Sequence, residues 1–379
     1  MSRYPAIWPT PQHMLRAITP DHPVQFFAPA TLSQTAERFR AGFPGAVTYA
    51  VKANDAADVL DTLVAAGITT FDVASPEEMV RARAACRGAV LHYNNPVRSV
   101  AEIEAAQDHG VVSYSVDDAG ELAKLAAHIP AEGVEVAVRL KLPVAGAAYD
   151  FGSKFGAPPE VCVALLREVA RLGYRPSITF HPGTQCTDAA AWSAYIKAAA
   201  EVATAAGVTL ERLNVGGGFP AQRGQDAPDL GAIFEAIAAA TRRAFGPTSP
   251  ALLCEPGRAM VADAAALATR VKAIRGDGSV FLNDGIYGGL AEAPVMGAVD
   301  RMQVIGADGT PRCAPTAPRV VFGPTCDSID RLPDPIPMPG DLRDGDYVIF
   351  HGMGAYGTVT ATRFNGYGCI VPVTVQSLI

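Results

Sequence analysis

The sequence predicts an α/β protein. A (β/α)8 TIM-type barrel spans residues 28–264, and a C-terminal β domain (a sandwich or small barrel) also takes the N-terminal segment, so that 1–27 joins 265–379. Three observations predict it. Short β-branched runs alternate with Ala-, Glu- and Leu-rich stretches of helical spacing. Repeated over about 220 residues, such units match the usual size of the barrel. Beyond about residue 264 helical periodicity fades, and brief alternating runs punctuated by Gly and Pro replace it.

The strand-like runs fall at 46–51, 69–73, 89–93, 111–116, 134–140, 177–180, 212–215 and 251–254. Helical spacing marks 75–86, 119–128, 159–172, 189–206 and 230–245 between them. Ser75 with Glu78 reads as a capping box, and Pro130 and Gly173 as helix stops. A doubly wound sheet would need fewer parallel strands and a Gly-x-Gly-x-x-Gly turn after the first, and neither condition is met. In the second domain the runs are 269–274, 279–283, 301–305, 319–322, 347–350 and 369–373. Gly276-Asp277-Gly278, Asp308-Gly309 and Asp344-Gly345 punctuate them, and the proline-rich 333–339 reads as a surface loop.

Composition narrows the class. An apolar share of 49% and a charged share of 18% are ordinary for a globular protein. A net charge of −7 without a basic run argues against nucleic acid and anionic membrane. The first residues mix prolines, arginines and Asp21-His22-Pro23, unlike a signal peptide, and no apolar stretch is long enough to span a bilayer. Seven scattered cysteines with no CxxC pair indicate neither a disulfide framework nor a zinc site, and no metal is expected. A cytoplasmic enzyme is the simplest expectation.

A TIM-type barrel collects its chemistry at the C-terminal ends of its strands. Those ends carry Lys52, Asp72, Asn94-Asn95, Asp117, Arg139, His181, Gly216-Gly217-Gly218 and Glu255-Pro256-Gly257-Arg258. Lys52 ends the run Thr48-Tyr49-Ala50-Val51-Lys52. A lone lysine there usually just meets water, whereas a desolvated one attacks aldehydes. The glycine triplet alone is equally a flexible turn or a phosphate cradle. Arg258 suits the same phosphate as a bidentate donor. A buried Glu255 needs a cation, and a protonated pyridine nitrogen supplies one. His181 is either a satisfied core residue or a ring for stacking. An amine for a carbonyl, a phosphate cradle and an acid for a pyridinium together describe pyridoxal 5′-phosphate.

The chain resembles the fold-type III pyridoxal phosphate-dependent decarboxylases, in the ornithine/lysine/arginine branch, over nearly its whole length. The motifs that carry this are Tyr49-Ala50-Val51-Lys52-Ala53-Asn54, Phe71-Asp72-Val73-Ala74-Ser75, His181-Pro182-Gly183-Thr184, Gly216–Pro220 and Glu255-Pro256-Gly257-Arg258. Gly323-Pro324-Thr325-Cys326-Asp327-Ser328, Gly354-Ala355-Tyr356 and Phe364-Asn365-Gly366 complete them in the second domain. The resemblance implies that Lys52 carries the cofactor, His181 stacks on its ring and Glu255 keeps its nitrogen protonated. It implies that Gly216, Gly217, Gly218, Arg258, Tyr356 and Thr184 bind the phosphate, with Asp72, Arg139 and Gly257 completing the cofactor site. Cys326 is similar to the residue that reprotonates the α-carbon, and Asp327 to the acid that pairs with the distal amine of the substrate. Tyr287 and Phe364 are implied beside the substrate. The resemblance further implies a head-to-tail homodimer with shared active sites. Lys154, in Gly152-Ser153-Lys154-Phe155-Gly156, would pair with Asp330 across its interface.

One departure concerns specificity. Where ornithine-type relatives carry a second substrate aspartate, this chain has Met296, and the nearest acid is Glu292 in Gly289-Leu290-Ala291-Glu292. The expected reaction is decarboxylation of a basic L-amino acid, ornithine or lysine, to the diamine and CO2. Arginine, a D-amino acid or diaminopimelate are alternative substrates, although Cys326-Asp327-Ser328 asks for a distal amine rather than a carboxylate. Alanine racemase shares a similar lysine motif but lacks a counterpart to 323–328. A non-catalytic regulatory homologue would be expected to have lost at least one of Lys52, Glu255, Arg258 and Cys326.

Overall fold

The computed structural model describes residues 7–143, 154–297 and 300–379, and its chain divides into two compact units. One comprises Ala36–Pro220 with Pro228–Ala259, and the other Met1–Thr35, Ala221–Ala227 and Met260–Ile379.

The first unit is a parallel barrel. Its strands run Ala46–Val47, Tyr49–Ala50, Thr70–Val73, Val90–Tyr93, Ser113–Val116, Glu135–Leu140, Arg175–Phe180, Arg212–Asn214 and Ala251–Cys254. The run expected as one strand at 46–51 is two short pieces. Ala46–Val47 pairs with the last strand and Tyr49–Ala50 with Thr70–Val73, so the first strand closes the ring by serving both neighbours in turn. Thr48 bridges the pieces through its N–H, which donates to the Cys254 carbonyl at 2.9 Å.

Helices cover the barrel because their apolar faces match its outer surface. In Ala189–Ala206 the buried residues include Trp192, Tyr195, Ile196 and Ala199, spaced at helical intervals. Phe219 packs between helices, its ring 5.2 Å from Trp192, 5.6 Å from Phe39 and 5.7 Å from Phe234. That packing anchors the chain just after the glycine triplet. Ser75 caps Pro76–Ala85 by accepting from the Glu78 N–H at 3.3 Å. The other arm differs from a capping box, because the Glu78 carboxylate takes the Ala74 N–H at 2.7 Å.

The second unit is built on a mixed sheet buried on both faces. Its strand order is Met302–Ile305, Tyr347–His351, Ala265–Ile274, Val24–Phe27 and Val371–Thr374, with Val280–Leu282 and Val321–Phe322 off the main path. The N-terminal strand lies antiparallel to Ala265–Ile274 and parallel to Val371–Thr374, which is how the start of the chain joins this domain. Alternation sorts the side chains: Val348 and Phe350 enter one core with Leu267 and Val271, and Tyr347 and Ile349 enter the other with Phe26 and Met14.

The expected loop at 333–339 is a correction. Ile336–Pro339 forms a two-stranded antiparallel ladder with Thr316–Arg319, Pro318 facing Pro337. Proline is tolerated because a two-stranded ribbon has only edge strands, which need no donor on their outer side. Met338 is fully buried in the domain core.

All seven cysteines are free. Among the described residues no helix is long and apolar enough to cross a membrane.

Candidate active site

Lys52 sits on a single helical turn, Val51–Ala53, directly after the broken first strand. Its neighbours Val51 and Ala53 are fully buried while Lys52 is exposed, and its charge is felt by Asp72, Glu255 and His181. The Tyr49 hydroxyl donates to the Asn54 carbonyl at 2.8 Å and ties the turn off.

Asp72, at the end of the adjacent strand, is 4% exposed, and its Oδ1 has no hydrogen-bond partner. Burial pushes its carboxyl up, with Lys52, Asn94 and Arg139 opposing. Glu255 ends the last barrel strand. Burial pushes it up to about 8; Asp72 adds to the rise, and Asn214, Lys52 and Arg139 oppose it. The side-chain amides of Asn94 and Asn214 both donate to Glu255 Oε1. Burial holds the Arg139 guanidinium below its usual range, with Glu255, Asp117 and Asp72 opposing.

His181 is held neutral, well below the usual histidine range, by burial and then by Lys52 and Arg139. Its Nδ1 accepts the Gly183 N–H at 3.1 Å, so the proton sits on Nε2. Thr184 lies in the same loop, just after Gly183.

Glycine is required throughout 216–218. A Cβ on Gly216 would lie 2.0 Å from the Phe180 carbonyl oxygen, and one on Gly218 would lie 2.3 Å from that of Gly183. One on Gly217 would sit 2.7 Å from the Glu255 carbonyl oxygen and 3.2 Å from His181 Nε2. Gly216 and Gly218 also have φ of +68° and +84°, which disfavour any side chain. The Gly216 N–H is taken by Asn214 Oδ1 at 2.9 Å, which leaves the N–H groups of Gly217 and Gly218 as the donors of the triplet. Arg258, after Gly257, is buried at the start of the helix Arg258–Val261.

Lys52, Asp72, Arg139, His181, the triplet, Glu255 and Arg258 all belong to the barrel unit. A second set belongs to the β unit. The Tyr287 hydroxyl donates to Asp327 Oδ2 at 2.6 Å, holding that carboxyl below its usual range. The rings of Tyr287 and Phe364 lie 4.9 Å apart. The Cys326 N–H donates to Asn365 Oδ1 at 3.0 Å, leaving the thiol exposed. Tyr356 has φ +53°, unusual for a residue with a Cβ. Glu292 opens the helical turn Ala293–Met296, and its carbonyl accepts the Met296 N–H at 2.8 Å, so the two are one turn apart on one face.

Asp330 is 1% exposed and already engaged within its own chain, its carboxylate accepting from the N–H groups of Ile286 and Thr325 and from the Thr325 hydroxyl. A lysine from a second copy would have to add to these bonds at the one remaining lone-pair position. Lys154 is exposed, its ammonium 4.9 Å from the Phe155 ring centre, while Gly152 and Ser153 of the same motif lie outside the described residues.

Asn94 is read from the sequence as a strand-end residue without a role, and Asn214 is not read from it at all. The available signal was a polar residue breaking an otherwise apolar strand end.

The barrel set fits pyridoxal 5′-phosphate. An exposed amine suits its aldehyde, glycine N–H groups and Arg258 suit its phosphate, and a buried carboxylate in need of a cation suits a protonated ring nitrogen. Comparison with known proteins agrees. Residues 30–262 match the pyridoxal-binding domain of the pyridoxal-dependent decarboxylases. The chain is 34% identical to a lysine/ornithine decarboxylase of Selenomonas ruminantium, over 90% of this chain and 87% of that protein. It is 29% identical to antizyme inhibitor 2 of Xenopus laevis, over 84% of this chain and 73% of that protein. The crystal structure of the Paramecium bursaria Chlorella virus arginine decarboxylase superposes with a TM-score of 0.85 at 26% identity, covering 95% of this chain and 98% of that one. The chain belongs to the pyridoxal-dependent decarboxylases and is a pyridoxal phosphate-dependent carboxy-lyase.

Proposed function

We propose that this chain decarboxylates a basic L-amino acid, ornithine or lysine, to the corresponding diamine and CO2. The observation that carries the reading is Asp327, kept anionic by Tyr287 beside Cys326 and Phe364. An acid fixed there suits an ammonium at the far end of a substrate, and the Selenomonas relative takes its name from lysine and ornithine.

Bound pyridoxal phosphate supplies an electron sink for loss of the α-carboxylate. Lys52 would hold its aldehyde carbon, and the Glu255 carboxylate would favour a proton at its ring nitrogen. His181, as a neutral ring, would stack on it without adding charge. Gly217, Gly218, Arg258, Thr184 and Tyr356 bind its phosphate; Gly216 shapes the turn. Cys326 delivers the proton to the α-carbon after CO2 leaves. Glu292 supplies a second anion in place of Met296, one helical turn away on the same face.

The working unit in this reading is a homodimer in which Cys326 and Asp327 complete the partner's site. Support comes from exposed large side chains: Ile329 at 63%, three residues after Cys326, and Phe364 at 41% and Tyr367 at 36%, on either side of the Asn365 that accepts the Cys326 N–H. A regulatory, non-catalytic role is the reading that the antizyme inhibitor relative raises. The joint presence of Lys52, Glu255, Arg258 and Cys326 favours catalysis.

CO2 release across L- and D-ornithine, lysine, arginine, 2,4-diaminobutyrate and meso-diaminopimelate tests the reading. L-ornithine or L-lysine should lead. Asp327→Ala should cost roughly 2–4 kcal/mol in kcat/KM for these substrates, the worth of a contact to a desolvated ammonium. Glu292→Gln should change the ratio between them. Preference for meso-diaminopimelate, or no turnover of any substrate, would overturn the proposal.

A further inference from the structure

Asn94 stands between the two buried carboxyls of the barrel. Its Nδ2 donates to Glu255 Oε1, the oxygen that also takes Asn214, and its side chain and backbone N–H both favour the anion of Asp72. The residue is fixed from behind. Ser115 Oγ donates to the Asn94 carbonyl at 2.7 Å, and Arg98, 2% exposed, reaches the carbonyls of Tyr93 at 3.3 Å and Ser115 at 2.7 Å. Asn94 Oδ1 is buried with no hydrogen-bond partner. The amide is therefore turned with its donors toward the acids; the opposite orientation would set its carbonyl against a carboxylate.

We propose that Asn94 is a positioning residue that ties Glu255 to Asp72 and thereby presents the second oxygen of Glu255 to the ring nitrogen of the cofactor. The inference rests on the reading that Glu255 faces that nitrogen. Two amides converging on Oε1 fix the rotation of the carboxyl and leave Oε2 as its less encumbered, more basic oxygen. The same amide separates two acids that would otherwise repel. Without it Glu255 loses one of the two donors that fix Oε1, and its carboxyl can turn away from the ring nitrogen.

The test compares binding of pyridoxal phosphate with binding of its 1-deaza analogue, in which a carbon replaces the ring nitrogen, to apo-enzyme. The wild type should prefer pyridoxal phosphate by about tenfold or more, the worth of one charged hydrogen bond. E255A sets the floor. If E255A keeps the full preference, the reading of Glu255 itself fails. If E255A abolishes it, N94A should lose most of it, and S115A, which frees the Asn94 backbone without touching either acid, should lose part. An unchanged preference in N94A overturns the proposal; should N94A fail to fold, an unchanged preference in S115A does so.

Discussion

Asn214 joins Glu255 to the glycine turn. Its amide donates to Glu255 Oε1 and its carbonyl accepts the Gly216 N–H at 2.9 Å, so one side chain sets both the acid and the start of the glycine triplet. The backbone repeats the link, the Glu255 N–H donating to the Gly216 carbonyl at 2.8 Å. Asn214→Ala should weaken cofactor binding by roughly 10–100-fold, because a charged hydrogen bond and a buried backbone donor lose their partner together. Titration of apo-enzyme with cofactor measures it. Binding within about twofold of wild type would show that the backbone link suffices.

Asp284 makes stability depend on pH. Burial pushes its carboxyl from 3.8 up to about 7, against the N–H groups of Gly289 and Gly285. Between those values the folded chain keeps a proton that the unfolded chain releases. The contribution is therefore full below 3.8 and lost as pH rises through about 7. Relative to Asp284→Asn, the wild type should lose on the order of a few kcal/mol between pH 4 and 7.5. Urea unfolding of both proteins across that range reads the difference, and parallel curves would contradict it.

Cys326 should govern the fate of the decarboxylated substrate rather than CO2 loss. Cys326→Ala is expected to keep releasing CO2 while product shifts from amine to aldehyde, with the amino group left on the cofactor. If subunits share sites, mixing Lys52→Ala with Cys326→Ala protein should restore part of the amine-forming activity that neither has alone. Clean amine from Cys326→Ala at the normal rate would assign the proton to another group.

Much of this architecture was legible because it is local. The helices at 119–128, 189–206 and 230–245 carry their own periodicity and stops, and the barrel strands end where polar residues interrupt β-branched runs. The Thr316–Arg319 and Ile336–Pro339 ladder was not legible, since prolines in both strands erase the usual strand pattern. Nor was the break at Thr48, which comes from closing a ring rather than from any local preference. The role of Asn94, and Asn214 altogether, escaped for a related reason. Their bonds to Glu255 span 161 and 41 residues, and an asparagine beside a strand end looks the same whether it faces water or an acid. Asp330 likewise accepts the N–H of Ile286, 44 residues away in the chain.

The central claim is that the helical turn Val51–Ala53 presents the lysine that carries the cofactor. Borohydride reduction of the loaded enzyme, followed by peptide mapping, tests it most directly. The account predicts a single pyridoxyl-labelled peptide, modified at Lys52, and no such label in Lys52→Ala protein. Label on a different lysine of the wild type would contradict it.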